Sequence, residues 1–344
     1  MRPIALLFLV VAACAPTAPP ANTPAPTDVE HPRLEWGMVL HGGAGVTRAS
    51  YSAAELPLME AAFHAALRAG HAILAGGGSS LDAVEAAVRI LEDDSLFNAG
   101  KGSVFTNDSI NELDAAIMEG HTYRAGAVAG VHRVKNPITL ARAVMERSKH
   151  VMMIGDGAER FAVEQRIEMV DPGYFHTGRR MRSLRKAIED ERRAANPNGT
   201  AVLPDPTWRF GTVGAVALDK QGRLAAATST GGMTNKRYGR VGDVPIIGAG
   251  TYASPACAVS ATGDGEYFIR WSIAHSICTR TDLAGQSLAS AADSVIMGVL
   301  HRTGGTGGVI SLDNRGHVAM PFNAEGMTRG YVGPDGQTWM RMFR

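Results

Sequence analysis

Phe210-Gly211-Thr212-Val213-Gly214-Ala215-Val216-Ala217-Leu218, with Ser229-Thr230-Gly231-Gly232-Met233-Thr234-Asn235-Lys236 soon after it, is the part of the chain whose reading decides the fold. The run from Val213 to Leu218 is small and apolar, too short for a helix and closed by turn residues, so it reads as a buried strand. Thr212 therefore begins a core strand. A β-branched residue suits a strand without any chemistry, and a Gly-Thr-Val triplet alone carries no function. Asp219-Lys220-Gln221-Gly222 turns the chain back into Leu224-Ala225-Ala226-Ala227, and Asp313-Asn314-Arg315-Gly316 joins Val309-Ile310 to Val318-Ala319 in the same way. Such antiparallel hairpins flanked by helices predict a layered α+β fold.

The 344 residues leave room for one large domain or two, and 34 Lys and Arg against 33 Asp and Glu give no electrostatic footprint for nucleic acid. A small-molecule partner is expected. At the start, Arg2 precedes an apolar run from Ile4 to Ala13 that is too short to span a bilayer and fits a signal-peptide core. It ends in Val11-Ala12-Ala13-Cys14, which resembles the bacterial lipobox, where the cysteine is lipidated after cleavage. An ordinary signal peptide with a nearby Ala-x-Ala-type cut is the other reading. The expected organisation is a signal peptide over 1–14, a disordered Pro, Ala and Thr spacer over 15–35, and one domain over 36–344. The expected location is the bacterial periplasm, anchored to a membrane through lipid on Cys14 or else soluble there. Cys257 and Cys278 could pair in an oxidising periplasm, but the sequence does not place them within bonding distance, and free buried thiols are the expectation.

Within the domain, Met38-Val39-Leu40 leads into His41-Gly42-Gly43-Ala44-Gly45, which has neither the dinucleotide fingerprint nor the Walker pattern, and His41 reads as a structural, hydrogen-bonded histidine. Met59, Phe63, Leu67 and Leu74 mark one helical stripe and Leu81, Val84, Val88 and Leu91 a second, with Ser79 and Asp82 spaced as a capping box. Leu91 to Gly102 is a loop, and its Asp93 and Asp94 lack EF-hand spacing. Asn111 to Met118 and Ala125 to Val131 read as strands, and a helix is predicted from Pro137 to Ser148. Charge from Ser183 to Arg193, followed by Asn, Gly and Pro from Ala194 to Pro206, predicts a mobile tail or linker. The segment after Glu266 is predicted helical with Phe268, Trp271 and Ile277 inward, and Leu288, Ala292, Val295 and Val299 mark a helix from Gln286 to His301. Arg240 and Asp243, three apart in a Gly-rich loop, are either a surface ion pair or, respectively, a two-pronged grip on a substrate carboxylate and an acceptor for its ammonium.

These residues taken together resemble the plant-type L-asparaginase and isoaspartyl peptidase family of N-terminal nucleophile hydrolases. The resemblance runs from Trp36 to Asn323-Ala324-Glu325-Gly326-Met327. It implies a four-layer αββα sandwich and self-cleavage of the Gly211–Thr212 bond into an α chain ending at Gly211 and a β chain over 212–344. It implies a homodimer of αβ units, no cofactor for the chemistry, and a structural sodium ion held by the main-chain carbonyls of Leu91, Glu92, Asp94, Phe97, Ala99 and Lys101. The implied substrates are L-asparagine and isoaspartyl dipeptides, releasing L-aspartate. Thr212 is the implied nucleophile, with Asn98 in support and Thr230 aiding its activation. Thr262 and Gly263 are the implied oxyanion hole, and Arg240 and Asp243 the substrate grip.

The chemistry agrees with those assignments. A threonine hydroxyl is a poor nucleophile without a base, and an N-terminal threonine supplies one in its α-amine, of ordinary pKa about 7.7 to 8.0. That amine exists only once the Gly211–Thr212 bond is broken. Backbone N–H groups at the predicted helix start near Thr262 suit a developing oxyanion, and losing one such donor costs about 3 kcal/mol of transition-state stabilisation. The rival readings are a glycosylasparaginase-like specificity and an uncleaved, inactive, lipid-tethered binding protein; the joint presence of Thr212, Thr230, Arg240, Asp243, Thr262 and Gly263 opposes the second. A serine hydrolase or paired-histidine metalloenzyme finds no motif.

Overall fold

Every residue of β1 (Gly37–Ala44) is buried, because the sheet it joins is covered on both faces. The computed structural model describes residues 32–194 and 211–344, so Cys14, most of the expected spacer and residues 195–210 lie outside the described residues. After β1 come α1 (Glu55–Ala75), α2 (Ser80–Glu92), β2 (Leu113–Glu119), β3 (Ala125–Val131), α3 (Pro137–Arg147), β4 (Met152–Ile154), α4 (Gly155–Glu164) and α5 (Gly178–Ala194). Beyond Gly211 follow β5 (Val213–Leu218), β6 (Leu224–Thr230), β7 (Thr251–Ala253), β8 (Cys257–Gly263), α6 (Gly265–Trp271), α7 (Ile273–Asp282) and α8 (Leu288–Asp293). The last strands are β9 (Gly307–Asp313), β10 (Val318–Ala319), β11 (Met327–Val332) and β12 (Thr338–Arg341).

The strands form two sheets, one ordered β12-β11-β1-β5-β6-β2-β3-β4 and one ordered β10-β9-β8-β7. Met59, Phe63 and Leu67 of α1 and Leu81, Val84 and Val88 of α2 pack with Val213, Ala215 and Ala217 of β5, closing the outer face of the larger sheet. Side chains alternate across a strand, so Val216 and Leu218 point the other way and meet Ala258, Ile310 and Leu312 of the smaller sheet. The far face of that sheet is covered by Ile277 of α7 and Leu288 and Ala292 of α8. The layers are therefore helix, sheet, sheet, helix, the expected αββα sandwich. Half of the capping box is present: Ser79 Oγ accepts from Asp82 N at 3.1 Å, while the Asp82 carboxylate takes its bond of 2.7 Å from the Ser79 hydroxyl.

Three expectations need correction. The charged run Ser183 to Arg193 is helical, the later part of α5, because Leu184, Ala187 and Asp190 recur at helical spacing and give it one buried stripe that average composition hides. The segment after Glu266 is two helices broken at Ser272, which has φ 44°; the break turns Trp271 outward, 47% exposed, while Phe268 and Ile277 stay buried. Cys257 and Cys278 are joined in a disulfide with Cα atoms 5.3 Å apart, since α7 lies directly on β8.

Candidate active site

Antiparallel pairing of β5 with β6 puts Val213 opposite Ser229, so Thr212 at the start of one strand meets Thr230 at the end of the other. Thr212 Oγ1 donates to Thr230 Oγ1 at 3.2 Å, and Thr230 Oγ1 lies 3.4 Å from the carbonyl oxygen of Gly211 and accepts from Gly232 N at 3.0 Å. Only 8% of Thr212 is exposed. Gly43 permits this approach: its φ is +114° and a Cβ there would stand 2.8 Å from Gly211 Cα. Asn98 does not touch the Thr212 hydroxyl through any hydrogen bond among the described residues. It pins the turn that orients Thr230, donating from Nδ2 to Gly232 O at 2.8 Å, while its own carbonyl accepts from Gly231 N at 3.2 Å.

Thr212 and Thr230 open into a narrow cleft whose other walls include Met233, Arg240, Asp243, Gly263 and Glu266. Arg240 does not pair with Asp243. Its Nε and Nη2 each donate at 2.9 Å to the carboxylate of Glu266, a residue to which the sequence assigned no role. Burial pushes the Glu266 carboxyl up, but the hydrogen bonds and charge of Arg240 overcome this and hold it below its usual value. Asp243 is 5% exposed, and its Oδ2 has no hydrogen-bond partner among the described residues. Burial raises its pKa to about 7, against its own backbone N–H and the charge of Arg240. An unpaired buried carboxylate beside an arginine is a place for a cation.

Gly263 reaches the same cleft, with Thr262 buried just behind it, from a different element than expected. They end β8, where Gly263 pairs with Gly307, and α6 starts only at Gly265, so any donor they offer comes from a strand end and not from a helix terminus. Thr262 Oγ1 accepts from Ala44 N at 3.1 Å, tying the end of β1 to β8. Beneath the site, His41 Nε2 lies 2.9 Å from Ser260 Oγ, which lies 2.7 Å from Thr228 Oγ1. Burial lowers His41 to about 3, which keeps it neutral, in the structural part expected of it. Lys236, also unassigned in the sequence, is buried with Nζ donating to Glu112 O at 3.1 Å and packs against Gly232. Nothing in the local pattern marks either Lys236 or Glu266, because each acts through residues brought near by folding.

The implied sodium ion calls for main-chain carbonyls gathered in the Leu91 to Lys101 loop. They crowd inward: a Cβ on Gly102 would fall 1.9 Å from Phe97 O and 2.8 Å from Ser95 O. Leu91 O accepts from Asp94 N in the cap that closes α2, and Ala99 O accepts from Gly102 N. Lys101 turns its Nζ onto the Tyr174 ring, 5.3 Å from the centroid. Asp94 instead caps Leu96 N at 2.8 Å. No group of three or more His, Cys, Asp or Glu is gathered for a metal among the described residues, so neutral carbonyl oxygens are the donors on offer, and they suit a hard cation.

A family model described as asparaginase matches residues 34–341. The chain is 51% identical over 301 residues to isoaspartyl peptidase of Escherichia coli (strain K12), covering 86% of this chain and 93% of that one. It is 49% identical over 300 residues to isoaspartyl peptidase of Salmonella typhimurium, covering 86% and 95%. It is 40% identical over 296 residues to a plant-type L-asparaginase of Pyrococcus abyssi, again covering 86% and 95%.

Proposed function

The chain belongs to the plant-type L-asparaginase and isoaspartyl peptidase family of hydrolases, and on that premise we propose that it cuts itself between Gly211 and Thr212 and then hydrolyses isoaspartyl dipeptides and L-asparagine to release L-aspartate. The observation that carries this reading is the Thr212–Thr230 hydroxyl pair at one end of a cleft that also holds Arg240 and Asp243.

In the first reaction Thr212 Oγ1 attacks the Gly211 carbonyl carbon, whose oxygen is within reach of Thr230. The C–N bond breaks as the nitrogen takes the hydroxyl proton, and water then hydrolyses the ester. The products are a Gly211 carboxylate and a free α-amine on Thr212. That amine serves as base in the second reaction, taking the proton from Oγ1 as it attacks the side-chain carbonyl of the substrate. Glu266 holds the Nε and Nη2 edge of Arg240, so the expected two-pronged grip on the α-carboxylate of the substrate is not offered by that edge, and Arg240 acts through its remaining N–H donors and its charge. The unpartnered Oδ2 of Asp243 takes the α-ammonium. The negative charge developing on the carbonyl oxygen falls to Thr262 and Gly263. Ammonia or an amino acid leaves, and water releases aspartate from the enzyme ester.

Intact-mass analysis over several days tests this. Wild type is expected to split into two chains, the second beginning at Thr212, while Thr212→Ala stays whole. A wild type that remains one folded chain, with no activity on asparagine or a β-aspartyl dipeptide, refutes the reading and leaves the binding protein in its place.

We further propose that the carbonyls of Leu91, Glu92, Asp94, Phe97, Ala99 and Lys101 hold a sodium ion that stiffens the loop carrying Asn98. Exchanging sodium for choline should then lower the thermal midpoint, and an unchanged midpoint would count against the site. The αβ units are proposed to pair as homodimers, which light scattering decides. Anchoring in the bacterial periplasm through lipidated Cys14 is proposed on the sequence alone, and detergent-phase partition of wild type but not of Cys14→Ser tests it.

A further inference from the structure

Arg240 and Asp243 grip the aspartyl end, which L-asparagine and isoaspartyl dipeptides share. Discrimination between them must come from the group beyond the scissile amide. A second cleft meets the first at Gly211, and its walls include Tyr51, Phe97, Asn98 and the first-turn residues of α5, Arg179 and Arg180.

Its charge is not balanced by the residues around it. Arg180 donates from Nε to Gly102 O at 2.6 Å, and no carboxylate pairs with it among the described residues. Burial, and then the charge of Arg179, lowers its pKa to about 10. Arg179 lies 4.8 Å over the Tyr51 ring, donates from Nη2 to Ser50 O at 2.7 Å, and stands 3.5 Å from a Glu55 oxygen. Two guanidiniums against one carboxylate, Glu55, which reaches only Arg179 of the pair, favour an incoming anion, and a guanidinium fork matches a carboxylate best. Gly211, shared by both clefts, carries the carbonyl that Thr212 attacks, so the second cleft opens beside the nucleophile and outside the cleft that holds Arg240 and Asp243.

We propose that this cleft is a carboxylate subsite with Arg179 and Arg180 as its anchors. It takes a carboxylate released beside the nucleophile, either the α-carboxylate of the amino acid leaving an isoaspartyl dipeptide or the new C-terminal carboxylate of Gly211, the acyl product of self-cleavage. The inference rests on the proposed function and adds to it the means of preferring dipeptides over asparagine, which has no carboxylate on that side.

The test compares Arg179→Gln and Arg180→Gln with wild type on β-aspartyl-leucine, β-aspartyl-leucinamide and L-asparagine. If the leaving group is the occupant, KM for β-aspartyl-leucine rises about tenfold, the loss of one charge-assisted bond, while leucinamide and asparagine kinetics hold. If Gly211 is the occupant, dipeptide KM holds, but the substitutions lower the thermal midpoint of the cleaved enzyme by several degrees more than that of the uncleaved Thr212→Ala background. A merely structural part for Arg180, through its bond to Gly102, would lower both midpoints equally and slow all three substrates alike, and that result overturns the subsite. So does the absence of any change. Should the wild type neither cleave nor hydrolyse, the proposed function fails separately. The cleft is then judged by whether L-leucine, and not leucinamide, raises the wild-type midpoint; no difference overturns it.

Discussion

Replacing Asp243 by Asn should weaken the enzyme and stabilise the protein, and the stabilisation should depend on pH. The carboxyl is 5% exposed, with one oxygen unpartnered among the described residues, and burial carries its pKa from 3.8 to about 7. A carboxyl whose folded value is raised favours folding most below its unfolded value, and that favour is lost as pH rises through the folded value. Above pH 7 the ionised group therefore costs the fold about 4 kcal/mol, three units at about 1.36 kcal/mol each, and at pH 5 under about 2 kcal/mol. An Asn amide set where that oxygen stands leaves its own donor short of a partner, at about 1 to 3 kcal/mol. The difference leaves Asp243→Asn more stable by about 1 to 3 kcal/mol at pH 8 and level with the parent at pH 5. In a domain of this size that is a rise in midpoint of about 2 to 5 °C at pH 8 alone. Thermal scans in the Thr212→Ala background, where chain scission does not enter, measure it. Activity should move the other way, because the substrate ammonium loses a charge-assisted bond of about 1.5 to 3 kcal/mol, or roughly ten- to a hundredfold in kcat/KM. The same titration makes wild-type KM climb as pH falls through about 7. An equal midpoint change at both pH values, or an unmoved KM for asparagine, would refute the assignment of Asp243 as an unpaired buried acceptor.

Two further outcomes follow from named contacts. Glu266→Gln removes the partner that orients Arg240; the carboxylate is more than half exposed, so KM should rise only about two- to fivefold with kcat unchanged, and an equal fall in kcat would place Glu266 in the chemistry instead. Replacing Cys257 and Cys278 together by Ser releases a cross-link spanning 21 residues, worth about 3 kcal/mol, and the midpoint should drop by about 5 °C. Wild type under reductant should match that double variant, and a midpoint indifferent to both would show that the cross-link does not hold α7 to β8.

The parts of the site that were legible in the sequence share one property. Thr212 and Thr230 lie 18 residues apart on a hairpin whose turn, Asp219 to Gly222, is itself written locally, so the strand register alone brings the two hydroxyls together. Arg240 and Asp243 share one loop, and the cap at Ser79 spans only the four residues to Asp82. What misled the reading was equally local. Charge density concealed the buried stripe of Leu184 and Ala187, and an unbroken helical period passed over the left-handed Ser272 that turns Trp271 to solvent.

The sequence by itself determined most of the strands and helices with their apolar faces, the family, and the residue types that carry the chemistry, because periodicity and short motifs report what an element buries and where it turns. Tertiary structure alone decided that Glu266 and not Asp243 takes the Arg240 guanidinium, that Cys257 reaches Cys278, that His41 meets Ser260 across 219 residues, and that Arg180 stands without a carboxylate in a cleft at Gly211. Each of those depends on which layer packs on which and in what register. A one-dimensional pattern specifies that a face is apolar without naming the face that will cover it.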